Sequence, residues 1–130
     1  MTPSTTPHAH HAYMDASVAT ASPARLLVML LERLVLDVTR AAEAQRNGSV
    51  EEAHRQLLHA QEIVLELRAS LDVETWEGGE GLASIYDFLH TQLVRANIRK
   101  DLDLTEACLG LVQDLAQTWR EAAMQNASVA

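Results

Sequence analysis

The stretch SPARLLVMLLERLVLDVTRAAEAQRNGS, Ser22 to Ser49, is punctuated as a helix at both ends. Ser22 is placed to cap free N–H groups, and Pro23 sits in the first turn, where its missing N–H costs nothing. Asn47-Gly48 supplies a left-handed stop after Arg46. Ten of the thirteen positions from Leu26 to Val38 are Leu, Val or Met. At about 100° per residue, Leu27, Leu30, Leu31, Leu34, Val38 and Ala41 form a core face, with Arg33 and Asp37 on one flank. Met29 and Leu36, seven residues apart, share a line on the opposite side among Arg25, Glu32, Thr39 and Arg40. Val28 and Val35 widen the apolar arc on the other flank. A helix that only lies on a core needs one stripe, and this one carries more.

Three further segments of similar length follow. Ser49 and Glu52 have capping-box spacing, which predicts a second helix to about Leu71. Its stripe of Ala53, Leu57, Ala60, Val64, Leu67 and Leu71 alternates steps of four and three, the pattern of a bundle seam. DVETWEGGEG, residues 72–81, reads as the one long connection. The third helix is expected from about Leu82 to Lys100, facing inward with Leu82, Ile85, Tyr86, Leu89, Leu93 and Ala96. A break at Leu102 and Asp103 leads to a fourth helix, with Asp103 and Glu106 again in capping-box spacing. Its stripe is Leu104, Cys108, Leu111, Leu115, Trp119 and Ala122. Long helices joined by short links run antiparallel to their neighbours. The fold class is therefore all-α: an antiparallel up-down-up-down four-helix bundle. Residues 1–12 read as a flexible tail, 13–124 as a single helical domain, and 125–130 as a second tail. Tyr13 to Val18, mildly apolar, suggest a short N-terminal segment that docks as a cap.

Composition narrows the function. The chain has 130 residues and a formal charge of −8, with no basic cluster beyond Arg99-Lys100. A nucleic acid or anionic membrane partner needs a concentrated basic face, so neither is expected. The apolar run from Leu26 to Leu31 is far short of a membrane span, and the N-terminus has no signal-peptide pattern, so the protein is expected to be cytoplasmic. Cys108, alone in the sequence, has no disulfide partner and sits on an apolar stripe, which predicts a buried, inert thiol.

Catalytic patterns are missing. The EGGEG run lacks a following Lys and would repel phosphate. Bundles that hold two metals use two Glu-x-x-His pairs with two further Glu. Here only Glu51 and His54 have that spacing, and both point away from the seam. His8, His10 and His11 have no Cys or carboxylate beside them, and His54, His59 and His90 read as surface or boundary histidines. No enzyme, metal or cofactor is expected. What remains is surplus apolar surface: the Met29–Leu36 line, and Phe88, Thr91, Arg95 and Ile98 on the outside of the third helix. Either these are ordinary scattered apolar residues, or another chain covers them.

Several stretches together resemble the FliS family of flagellar export chaperones. These are Tyr13 followed by VATASP (18–23) and a Leu-rich helix, AQEIVLELRASLD (60–72), YDFLHTQLVRANIRKD (86–101), and TWREA around Trp119. Family members commonly carry a tyrosine where this chain has Leu31 and a small residue where it has Arg33. The Trp76 loop is also longer and more acidic here. The resemblance implies a cytosolic, ATP-independent chaperone whose client is the C-terminal segment of flagellin, bound one to one. Binding would prevent premature polymerisation and assist delivery to the flagellar secretion apparatus, with components of that apparatus as possible further partners. The apolar seams then become the client's bed, and Tyr13, Val18, Met29, Leu36, Phe88, Asn97 and Ile98 are the expected flagellin-binding residues. A self-associating structural or regulatory bundle is the competing reading.

Overall fold

The structure, a computed structural model, describes residues 22–74 and 77–129. The 1–12 tail, Tyr13, Val18 and Trp76 lie outside the described residues. Four helices account for nearly all of the described chain: α1 Pro23–Arg46, α2 Val50–Ser70, α3 Gly79–Arg99 and α4 Leu102–Val129. α1 packs on α2 and α4, and α3 packs on the same two, so chain neighbours are space neighbours around the ring. This is the up-down-up-down bundle expected from the short links. α4 runs on to Val129, into the stretch expected to be a tail.

The ends of the helices show which local signals prevailed. Ser22 Oγ accepts from Arg25 N at 3.1 Å, as its position before Pro23 suggests. At the other end of α1, Gly48 takes φ 73, and Ser49 N donates to Ala44 O at 2.8 Å. That bond explains a correction. The expected Ser49–Glu52 capping box does not form, because it needs the N–H that Ala44 already occupies. Ser49 makes no side-chain cap, and Glu52 turns to Arg55 at 2.8 Å and Gln56 at 2.7 Å.

α3 begins at Gly79, ahead of the expected Leu82. It ends at Lys100, whose φ of 53 and ψ of 45 place it in the left-handed region. Asp101 then caps α4, its Oδ1 accepting from Leu104 N at 3.1 Å. The break therefore falls at Lys100 and Asp101, not at Leu102 and Asp103. Glu106 of the expected second capping box instead pairs with Arg46 of α1.

Leu31, Leu34, Val38 and Ala41 of α1 meet Leu57, Ala60, Val64 and Leu67 of α2, with Leu82, Tyr86, Leu89, Leu93 and Ala96 of α3. α4 adds Cys108, Val112 and Ala116, which corrects the expected stripe. Leu104, Leu111, Leu115 and Trp119 pack only on the margins, and the fully buried line of α4 includes Thr105. Small side chains on that line let α4 approach α1 closely, while its leucines lie to either side. Arg46, on the same flank of α1 as Val28, Val35 and Ala42, reaches Glu106, so this flank faces α4. Val28 and Ala42 are accordingly buried, and part of the apolar surplus of α1 is explained within the bundle. Ile85, expected inside, is exposed, because the core line of α3 passes through Leu82 and Tyr86 beside it.

Candidate functional site

Core packing accounts for Val28 and Val35 but leaves several large apolar side chains uncovered. Leu36 is 38% exposed, Phe88 58% and Ile98 72%, while Met29 is half-buried. On α3, Phe88 and Ile98 stand on the outer side, away from Leu89, Leu93 and Ala96. Leu58 and Leu65 of α2 are exposed as well, and were not singled out from the sequence. Their seven-residue spacing, off the Leu57–Val64 stripe, was the available signal.

At the end where α1 begins and α4 closes, the bundle opens into a groove of about 430 Å³. Leu26, Leu27, Leu30, Leu71 and Trp119 form its walls, and Leu67, Leu82 and Tyr86 reach it from the core. Pro23 is on its rim, so α1 begins beside this groove.

The opposite end is more polar. Asn97 Nδ2 lies 3.0 Å from His54 Nδ1, bridging α3 to α2. Beside this pair is a pocket of about 210 Å³ bounded by Gln45, Ser49, Val50, Ala53 and Lys100. Nearer the first site on α1, Asp37 has no exposed surface. Its Oδ1 accepts from Arg33 Nε at 3.0 Å, and its Oδ2 meets His59 Nδ1 of α2. Both Asp37, read as a flank residue, and His59, read as a boundary histidine, therefore belong with Arg33 to a structural hydrogen-bonded set.

None of these places is equipped for covalent chemistry. Burial pushes the Cys108 thiol up to about 11 and the Tyr86 hydroxyl up to about 12, so both hold their protons at neutral pH. Among the described residues no group of three or more His, Cys, Asp and Glu is placed to hold a metal ion, and none of the helices is long and apolar enough to cross a membrane. What the surface offers is apolar area in grooves and seams, the equipment of a protein that binds other chains.

Comparison with known proteins gives this surface a context. The profile of the family described as flagellar protein FliS matches residues 6–126. The flagellar secretion chaperone FliS of Bacillus subtilis (strain 168) is 32% identical over 111 residues, covering 85% of this chain and 83% of its own. The one from Salmonella typhimurium (strain LT2) is 31% identical over 112 residues, covering 83% of this chain and 82% of its own. A crystal structure described as a flagellar chaperone from bacteria superposes with a TM-score of 0.73 at 19% identity, covering 91% of this chain and 97% of that one. At that identity the likeness speaks for the fold, and it agrees with the four-helix arrangement. With the profile spanning almost the whole chain and relatives matched along most of their length, this chain belongs to the FliS family of flagellar secretion chaperones, whose role is not enzymatic.

Proposed function

We propose that this chain binds the C-terminal segment of flagellin in the cytoplasm, one to one and without ATP. In doing so it keeps the segment from polymerising early and hands it to the flagellar secretion apparatus. The observation that carries the reading is the pair Phe88 and Ile98, large apolar side chains on an outer face of α3 that no other helix covers. Leu36, Met29, Leu58 and Leu65 extend apolar surface to the outer sides of α1 and α2. A disordered client that folds on binding can lie across several such faces and still be released, because ordering its chain offsets part of the contact energy. Asn97, with its amide at the edge of α3, is placed to exchange His54 for a client backbone group.

Light scattering after size exclusion, with and without a flagellin C-terminal segment, tests the stoichiometry. A monomer that becomes a one-to-one complex supports the proposal. A homodimer indifferent to the segment supports the self-associating bundle instead. Replacing Phe88 and Ile98 together by Glu should leave helix content unchanged and weaken calorimetric affinity at least tenfold, about 1.4 kcal/mol. The pair Met29→Glu and Leu36→Glu should act in the same direction on the α1 side. Affinity untouched by both pairs would mean that the client lies elsewhere.

A further inference from the structure

The pocket between the α1–α2 turn and the end of α3 carries a set of groups that neither the bundle nor the apolar seams make use of. Gln45 Oε1 is buried and accepts no hydrogen bond, while its Nε2 donates to Ala96 O across a long 3.4 Å. A buried polar atom left without a partner calls for an explanation. The Ser49 hydroxyl, freed from capping, makes no cap bond, and the first backbone bond into α2 is from Ala53 N to Ser49 O at 3.0 Å. The N–H groups of Val50, Glu51 and Glu52 therefore have no backbone acceptor. Lys100 stands at the pocket with no carboxylate in ion-pair range among the described residues. It is also the only non-glycine residue with positive φ among the described residues. Glycine or asparagine would take that backbone more readily, so the lysine side chain is retained at some conformational cost.

These groups define a ligand by its chemistry. Lys100, Ser49 and the open first turn of α2 call for an anion. The two acidic residues of that turn, Glu51 and Glu52, do not border the pocket, and Glu52 is held by Arg55 and Gln56. Gln45 Oε1 calls for an N–H donor close to that anion, and Val50 with Ala53 calls for a small apolar body. Phosphate and sulfate supply the anion but neither the N–H donor nor the apolar part. The last residue of a peptide supplies all three. Reaching Gln45 Oε1 requires only a turn about the terminal amide torsion, which is soft, and loss of the long bond to Ala96 O.

We propose that this pocket takes the terminal α-carboxylate, last peptide N–H and last side chain of the client. Lys100 and Ser49 hold the carboxylate, and Gln45 holds the N–H. The proposal rests on the reading that the chain binds the C-terminal segment of flagellin, and it adds where the end of that segment lies.

Calorimetry with the flagellin C-terminal segment made in two forms, free acid and C-terminal amide, tests it. Wild type should bind the acid at least tenfold more tightly than the amide. Lys100→Gly, whose backbone suits the left-handed position and so keeps the fold, should bind both forms about equally. Gln45→Met, similar in length but without an acceptor, should weaken both forms and retain the preference for the acid. Equal binding of acid and amide by wild type overturns the proposal and leaves client binding standing. A preference for the acid that survives Lys100→Gly overturns the assignment to this pocket. A segment that binds in neither form overturns the client reading and this proposal together.

Discussion

Asp37 has no exposed surface, yet it carries a carboxylate into the contact between α1 and α2. A buried charge is tolerated only where partners replace the lost water, and Arg33 and His59 provide that. His59→Ala should therefore destabilise the bundle by about 1–3 kcal/mol, read from urea unfolding, because one carboxylate oxygen loses its donor. Adding Asp37→Ala should cost less than the two single changes summed, since they share one interaction. Strict additivity would show that the pair contributes nothing of its own. Cys108 and Tyr86 set a second expectation. Burial raises the thiol from 9.0 to about 11 and the phenol from 10.0 to about 12. The folded state thus keeps protons that the unfolded chain releases at lower pH. This share of stability is intact below pH 9 and declines as pH rises from 9 toward 11 for Cys108 and from 10 toward 12 for Tyr86. Urea midpoints should accordingly fall between pH 8 and pH 10.5, and Cys108→Ala should remove the thiol's part of the fall. At this scale the i, i+4 pair Arg33–Asp37 could be read from spacing. His59 could not, because its role depends on how α2 is rotated against α1.

The start of α3 shows how elements are bounded by neighbours as much as by their own residues. Gly79 is buried, and a Cβ there would lie 2.8 Å from Val73 Cα and O, backbone atoms that cannot swing aside. Gly81, two residues on in the same helix, has open space around its Cβ direction. Gly79→Ala should consequently destabilise by about 1–3 kcal/mol through overpacking. Gly81→Ala should stabilise by about 0.5–1 kcal/mol, since alanine loses less freedom on entering a helix. Thermal unfolding of the two variants side by side distinguishes them, and similar shifts in both would mean that Val73 yields. Sequence reading put the helix start at Leu82, where the apolar period begins. The extra turn exists because the chain returning from α2 packs against Gly79. The two capping boxes failed for a related reason: Ala44 O occupies the Ser49 N–H, and Asp101 caps α4 ahead of Asp103.

For the whole molecule, the groove beside Pro23 gives the N-terminal proposal a geometric basis. Tyr13 and Val18 are proposed to pack on an apolar seam that the client also uses, and Pro23, which follows them in the sequence, stands on the rim of the groove. Deleting residues 1–18 should leave helix content unchanged and raise binding of an apolar fluorescent dye. Client affinity then rises if the segment only competes, and falls if Tyr13 contacts the client. A truncated protein that simply melts, with no binding phenotype of its own, would mark the segment as a permanent lid over the core.

The amino-acid sequence alone determined the number of helices, their order and antiparallel course, and most of the core, because a 3.6-residue period and short links leave few other ways to bury these stripes. It also carried the family, through motifs spread from Tyr13 to about Ala122. Tertiary structure decided which apolar residues were surplus. Val28 and Leu36 both lay outside the core face on a helical wheel, yet α4 buries the first, while the second stays 38% exposed. It likewise decided that Asn97 meets His54 and that Gln45 is left with an unpaired oxygen, since both depend on which turns of separate helices come to lie side by side. Helical period states where a side chain points from its own axis. Only packing states what it meets there.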